Sequence, residues 1–332
     1  MSDVSVKGRV LYVSGDIAYA AKSYGIYKSM DGGESWFRLC NLPLGTVLKL
    51  VSFCNLARRF LRKEISHIIE ENGVLIVFGY GKIFRFSLNE EKWIGTPVAV
   101  NGLRPLNLCV KGGVVYYGEY RRNAERSPIH IYASSDTGAT WESVYEFKDV
   151  RHIHGVFCDP YTGTFWITTG DDDSECGIWN TGDNFGTVNK VFSGTQMCRA
   201  VTLLFTEKYI LYASDSPLES NFIFRFTRDG LKTEKLVPVI SSVFYGAVYK
   251  DNIYFSTACE PSIVNAMDRS EVVVSSDGGD SWSSFFELKK DPLSIKLFQY
   301  GNVLFPYRKN PTDALWYSPV AVRGDHKSFR LD

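Results

Sequence analysis

An all-β, seven-bladed β-propeller of four-stranded antiparallel blades is the fold this sequence predicts, on three observations. A turn motif, Ser-x-Asp-x-Gly-x-x-Trp, occurs as KSMDGGESW (28–36), ASSDTGATW (133–141) and VSSDGGDSW (274–282). Worn copies fill the gaps: Ser87 with Asn89, Thr181 with Asp183, and Thr227 with Asp229. The six starts then fall at 29, 87, 134, 181, 227 and 275, at intervals of 58, 47, 47, 46 and 48 residues. Short β-rich runs bounded by Gly, Asp or Asn, four to a unit of roughly 40–50 residues, are the pattern of propeller blades.

The elements follow in order. Unit four reads IHGVFCDP, GTFWITTG, CGIWNTGD and TVNKVFSG; unit six reads VFYGAVYK, DNIYFSTA, EVVVSSDGGDSW and SSFFELKK. The motif therefore falls on the turn between third and fourth strands. Such a turn needs a residue that tolerates positive φ, met by Gly33, Gly138 and Gly279. The carboxylates of Asp31, Asp136 and Asp277 can accept backbone N–H groups of their own turn, and the Trp covers the hairpin. These residues are expected to be scaffold. The one long interval contains CNLARRFLRKE, residues 54–64, a helix-forming insertion in unit two. A last unit beginning LFQYGNVLF has the same apolar rhythm without the motif, completing seven units in a single domain over 1–332. Six blades would require two of the worn copies to belong to one unit.

Composition narrows the function. Lys plus Arg and Asp plus Glu are 37 each, which removes the electrostatic case for nucleic acid or a charged membrane surface. No apolar run approaches the roughly 18 residues of a spanning helix. Seven cysteines stand singly, without C-x-x-C pairs, and the N-terminus shows no leader pattern. A cytoplasmic location is the expectation.

The repeated motif resembles the Asp-box, or bacterial neuraminidase repeat, of the sialidase-like propellers, and its period extends that likeness over the whole chain. The resemblance implies the propeller fold. It leaves activity open, because such propellers include sialidases, other glycosidases, polysaccharide lyases, photosystem assembly factors and sorting receptors. The early Phe/Tyr-Arg-Ile-Pro of sialidases is absent, since the first unit begins GRVLYVSGD, and their arginine triad has no matching positions.

In a propeller, ligands meet the mouth of the central channel, where second strands end. Those ends carry Glu119, Tyr120 and Arg121 in unit three, Asp171 and Asp173 in unit four, Asp215 in unit five and Glu260 in unit six; Arg308 is read as their counterpart in unit seven. The inner strand of unit four, RHIHGVF, places His152 and His154 on one face, with Arg151 and Ile153 on the other. Arg199 and Tyr245 lie at neighbouring inner strands. His152, His154, Asp171, Asp215 and Glu260 are the catalytic candidates, and Glu119, Tyr120, Arg121, Asp173, Arg199, Tyr245 and Arg308 the substrate-binding ones.

Paired carboxylates are the minimum for hydrolysing a glycosidic bond. A carbohydrate-active enzyme, a glycoside hydrolase, is therefore the leading expectation, with a carbohydrate ligand. An oligouronide lyase using His, Tyr and Arg is the rival, and a binding or assembly propeller with a protein partner at 54–64 is the third reading. No cofactor is expected; a divalent ion, if held, would take His152, His154, Asp171 and Asp215.

Overall fold

Residues 4–331 are described by a computed structural model, and they form a seven-bladed propeller of antiparallel sheets. Blades 1 to 6 are laid down in chain order, their inner strands being Arg9–Ser14, Ile65–Glu71, Cys109–Lys111, His152–Cys158, Ala200–Phe205 and Val243–Tyr249. Burial decides which strand lies where. Second strands such as Phe165–Gly170 and Ile210–Ser214 are buried throughout, sandwiched between neighbouring blades. The fourth strand Phe37–Asn41 has no buried residue and lies on the rim.

Blade 7 is built from both ends of the chain. Its strands are Asn302–Leu304, Leu315–Val320, Lys327–Leu331 and, outermost, Ser5–Lys7. Ser5 pairs with Phe329 and Lys7 with Lys327, so the first segment closes the ring on the last. The Tyr307–Arg308 strand runs parallel to blade 1's inner strand, with Tyr307 opposite Tyr12. Their rings stack 5.9 Å apart at 8°.

The motif turns lie between third and fourth strands and hold themselves together. In the first, Ser29 Oγ donates to Asp31 Oδ1 at 2.8 Å and accepts from Gly33 N–H at 2.8 Å, while Ser35 N–H donates to Asp31 at 3.0 Å. The worn copy in blade 4 keeps these bonds: Thr181 Oγ1 donates to Asp183 at 2.7 Å and accepts from Phe185 N–H at 3.1 Å. The glycine has a second purpose. A Cβ on Gly33 would stand 2.2 Å from Trp316 of blade 7, one on Gly138 2.9 Å from Ile76 of blade 2, and one on Gly279 2.8 Å from Leu211 of blade 5. Each box thus presses backbone against the second strand of the preceding blade. Repetition follows from repeated blade-to-blade packing.

Between blades 1 and 2 the chain forms two helices, α1 (Thr46–Phe53) and α2 (Asn55–Leu61), rather than one helix over 54–64. Cys54 is extended (φ −87°, ψ 107°) and separates them. Arg59 of α2 is buried and paired to Asp291 at 2.5 Å, pinning the insertion to the body of the propeller.

Candidate active site

First strands start, and second strands end, at the face opposite the motif turns. There a cavity of about 670 Å³ opens at the channel mouth. How side chains reach it is a matter of backbone register. In blades 2, 4, 5 and 6 the inner strand slips near its start, at Ile65/His67, Ile153/Gly155, Ala200/Leu203 and Val243/Tyr245. A β-bulge re-aims the extra residue, and Ser66, His154, Val201 and Phe244, all inside these slips, line the cavity. His154 therefore enters the mouth on a bulge rather than by plain strand alternation.

Blade 4 supplies the centre. Asp171 directly follows its second strand, and Asp171 Oδ1 lies 3.1 Å from His152 Nε2 and 3.3 Å from His154 Nε2; the two Nε2 atoms are 3.1 Å apart. His152 Nδ1 faces the carbonyl of Arg121 at 3.3 Å, and His154 Nδ1 that of Ala200 at 3.0 Å. Tyr120 packs over His152, ring centroids 4.3 Å apart. Arg151 does not point away as strand alternation suggests: it precedes the strand, and its Nη1 reaches Asp171 Oδ2 at 3.2 Å.

Blade 5 adds Arg199, just before its inner strand, and Asp215, just after its second. Arg199 Nη2 lies 3.0 Å from Asp171 Oδ1 and its Nε 3.2 Å from Asp215 Oδ2, so one guanidinium joins two carboxyl groups. Blade 6 adds Glu260, whose Oε2 accepts from Ser242 Oγ at 2.6 Å.

The two carboxyls bound by Arg199 differ in protonation. Burial opposes charge on Asp171; positive charge at the Nε2 side of His152 and His154 outweighs this and holds it well below the usual carboxylate range. Burial drives Asp215 up to about 8 despite Arg199, with Glu260 and Asp171 adding repulsion. Glu260 is raised too, again by burial. Asp215 Oδ1 is buried without a hydrogen-bond partner among the described residues. Burial lowers the His154 imidazole to about 4, leaving it neutral at pH 7, and pushes the Tyr120 phenol up to about 12.

Tyr120, His154, Asp171, Arg199, Asp215, Tyr245 and Glu260 therefore converge on one cavity, with His152 behind His154. Four others do not. Glu119 is buried against Arg121 Nε at 2.6 Å and the His130 N–H at 3.1 Å, and the fork of Arg121 is spent on Asn123, Ser127 and Pro128. Asp173 is exposed and accepts from Gln196 at 2.8 Å. Arg308 lies at the opposite end of the channel, opposite Val13 and bound to the carbonyls of Val248, Pro311 and Asp313. Its misplacement has a plain cause: blade 7's inner strand is three residues long, and Tyr307–Arg308 belongs to the link after it rather than to the second strand, Leu315–Val320.

Sequence patterns carried no sign of Ser242, nor of Glu64 with Arg9 and Arg104. Arg9 grips Glu64 through two bonds of 3.0 and 3.1 Å at the blade 1–2 side of the mouth, and Arg104 lies 3.5 Å away. Burial works against charge on Glu64, but these arginines hold it at about 2.

No protein-family model matches the chain, and no curated protein matches it. Solved structures do. A YCF48 structure bound to D1 peptide aligns with TM-score 0.59 at 12% identity, over 98% of this chain and 95% of that one. YCF48 from Cyanidioschyzon merolae aligns with TM-score 0.60 at 12% identity, over 97% and 96%. The extracellular domain of BT4673 from B. thetaiotaomicron gives 0.59 at 10% identity, over 97% of this chain and 38% of that one. At these identities the likeness shows the fold.

The last match also corrects the cytoplasmic expectation. A segment equivalent to nearly all of this chain is part of an extracellular domain there, so the scattered free cysteines of this chain do not assign it a compartment. Among the described residues no helix is long and apolar enough to cross a membrane.

Proposed function

We propose that the cavity is the active site of a carbohydrate-active enzyme, a glycoside hydrolase in which Asp215 protonates the leaving oxygen. The observation that carries this is the state of Asp215: a buried carboxyl raised to about 8, with one oxygen unpartnered, opening on a cavity shared with Glu260. The charge of Glu260 adds to burial in keeping the proton on Asp215, and two neighbouring carboxyls that resist ionising together divide into an acid and a base. Asp215 gives its proton to the glycosidic oxygen as the bond to the sugar breaks. Glu260, as carboxylate, takes a proton from the attacking water. Arg199 is the positioning group, fixed between Asp171 and Asp215, and Tyr120 and Tyr245 offer aromatic faces to a sugar ring. The bond pattern of the motif turns supports kinship with the sialidase-like propellers, from which the carbohydrate class is inferred.

One observation favours the lyase reading. Arg62, Lys63 and Arg104 line the blade 2 side of the same cavity and suit an acidic sugar. Against it, Tyr120 holds its proton up to about pH 12 and makes a poor base. The YCF48 complex makes a peptide the competing occupant. Exposed Val47, Leu50 and Phe53 on α1 support a protein partner at the helical insertion.

The test is incubation with a panel of neutral and uronic-acid oligosaccharides, assaying new reducing ends and unsaturated uronide ends separately. Saturated products that vanish in Asp215→Asn and Glu260→Gln support the hydrolase. Unsaturated ends would establish the lyase, and no cleavage across the panel alongside peptide binding at the mouth would replace both.

A further inference from the structure

The mutual approach of His152, His154 and Asp171 needs a physical explanation. A backbone carbonyl can only accept, so the carbonyls of Arg121 and Ala200 fix the Nδ1 atom of each histidine as the N–H. In the neutral rings both Nε2 atoms are then bare lone pairs. These two lone pairs face each other at 3.1 Å and face a carboxylate oxygen at 3.1 and 3.3 Å. Three acceptors pointing at one spot repel unless something positive lies between them.

We propose that His152 Nε2, His154 Nε2 and Asp171 Oδ1 form a binding site for one divalent first-row transition-metal ion, of the Mn-to-Zn class, at the channel mouth. The triangle has the right size. Donors each about 2.1 Å from one cation stand roughly 3.0 Å apart at a right angle and roughly 3.4 Å apart at the tetrahedral angle. The three observed edges lie within that range. Such a cation would sit about 1 Å out of the donor plane, with its other side open. His154 and Asp171 line the cavity, so that side can be reached by water or a substrate oxygen.

The surroundings are those of a ligand set. Ligating histidines commonly donate their other N–H to a carbonyl, which fixes the tautomer and aims the ring. Arg151 and Arg199 hold the carboxylate in place, and a carboxylate oxygen has lone pairs enough to accept from Arg199 and bind a metal together. Two imidazole nitrogens select against Mg²⁺ and Ca²⁺, which take oxygen. The site uses three of the four residues that the sequence offered to a divalent ion and omits Asp215, whose neighbours are Arg199 and Ser242. It stands independently of the carbohydrate reading.

The test is direct. The purified full chain is stripped with a chelator, dialysed against Zn²⁺, Mn²⁺ or Co²⁺, and analysed for metal per chain and by calorimetric titration. One ion per chain is expected, undisplaced by excess Mg²⁺ or Ca²⁺, with nitrogen-ligand absorption bands for Co²⁺. His154→Gln and Asp171→Asn should each weaken binding by roughly 100-fold or more, while exposed Asp173→Asn leaves it unchanged. Asp215→Asn should lose turnover and keep the ion, which separates failure of the hydrolase reading from failure of this one. Thermal unfolding is followed for each variant; if one fails to fold, the other and the wild-type stoichiometry decide. Substoichiometric metal, binding indifferent to both ligand substitutions, or an ¹⁵N spectrum showing an Nε2–H on either histidine with metal present would overturn the site. The last result would mean that a shared proton fills the gap instead.

Discussion

His154 lies so close over Gly170 that a methyl group on the glycine would stand 2.6 Å from the imidazole Cε1. Gly170 ends the strand that delivers Asp171, so one backbone position sets both the ring and the carboxylate it faces. Gly170→Ala must displace His154. The expected result is a loss of about 1–3 kcal/mol of stability together with loss of the organised mouth. Metal retention and thermal unfolding measure the two parts; intact retention would show that the ring does not depend on this contact.

The Asp-box turns are scaffold in this account. Asp277 accepts from Ser275 Oγ and from the backbone of Asp280 and Ser281, at 2.8, 3.1 and 2.9 Å. Asp277→Ala should unfold at a lower denaturant midpoint, because it removes these turn bonds, and leave ligand binding at the far face untouched. Denaturant unfolding alongside a turnover assay checks this. Lost turnover at full stability would assign the boxes a role in chemistry.

Acid should loosen the same turns. Burial is the largest single influence on Asp136 and opposes its charge, but hydrogen bonds from Thr140, Ser134 and Ala139 together outweigh it and hold the carboxyl at about 2, below its unfolded value of roughly 3.9. A depressed carboxyl contributes stability above the unfolded pKa and loses it as pH falls through the folded one. Asp136→Asn should therefore unfold with a shallower pH dependence between about pH 4 and pH 2 than wild type. Identical acid profiles would remove this turn from the account.

Ring closure rests on three residues. Ser5–Lys7 supplies the outer strand of blade 7, and removing residues 1–7 exposes the edge of Lys327–Leu331. An unpaired edge is a template for another chain. The shortened protein should melt lower and self-associate, measured by light scattering. Unchanged melting and a monomeric profile would show that the strand does not secure the ring.

Much of the fold was legible because the box is a local device. Its hydrogen bonds run between residues two to four apart, so even the worn Thr181–Asp183 pair announces its turn. The site was legible in part. His152, His154, Asp171, Asp215 and Glu260 sit where second strands end or inner strands begin, and counting strands finds those places. Arg308 failed because blade 7's inner strand is only three residues long and Tyr307–Arg308 lies in the link after it, before the true second strand. Arg151 failed because it lies before the strand, where alternation has no force. The bulges that turn Ser66 and His154 inward have no composition of their own, and Ser242 and Glu64 matter only through partners distant in the chain. The break between α1 and α2 at Cys54 was hidden because the apolar run TVLKLVSF carries no helix-start signal, and no side-chain cap forms there.

The central claim is that one guanidinium joins carboxyl groups in opposite protonation states. The most direct measurement is the ¹³C titration of the Asp215 and Asp171 side chains in the full-length protein, assigned with Asp215→Asn and Asp171→Asn. Asp215 should titrate near 8, pushed up by burial and by Glu260 and Asp171 against the pull of Arg199, while Asp171 stays ionised to the acid limit of the fold. A raised carboxyl contributes stability below its unfolded pKa that is lost as pH rises through the folded one, so Asp215→Asn should also outlast wild type above pH 8. An Asp215 that ionises near 4, with no gain at high pH from its amide, would leave the cavity without its proton donor and contradict the account.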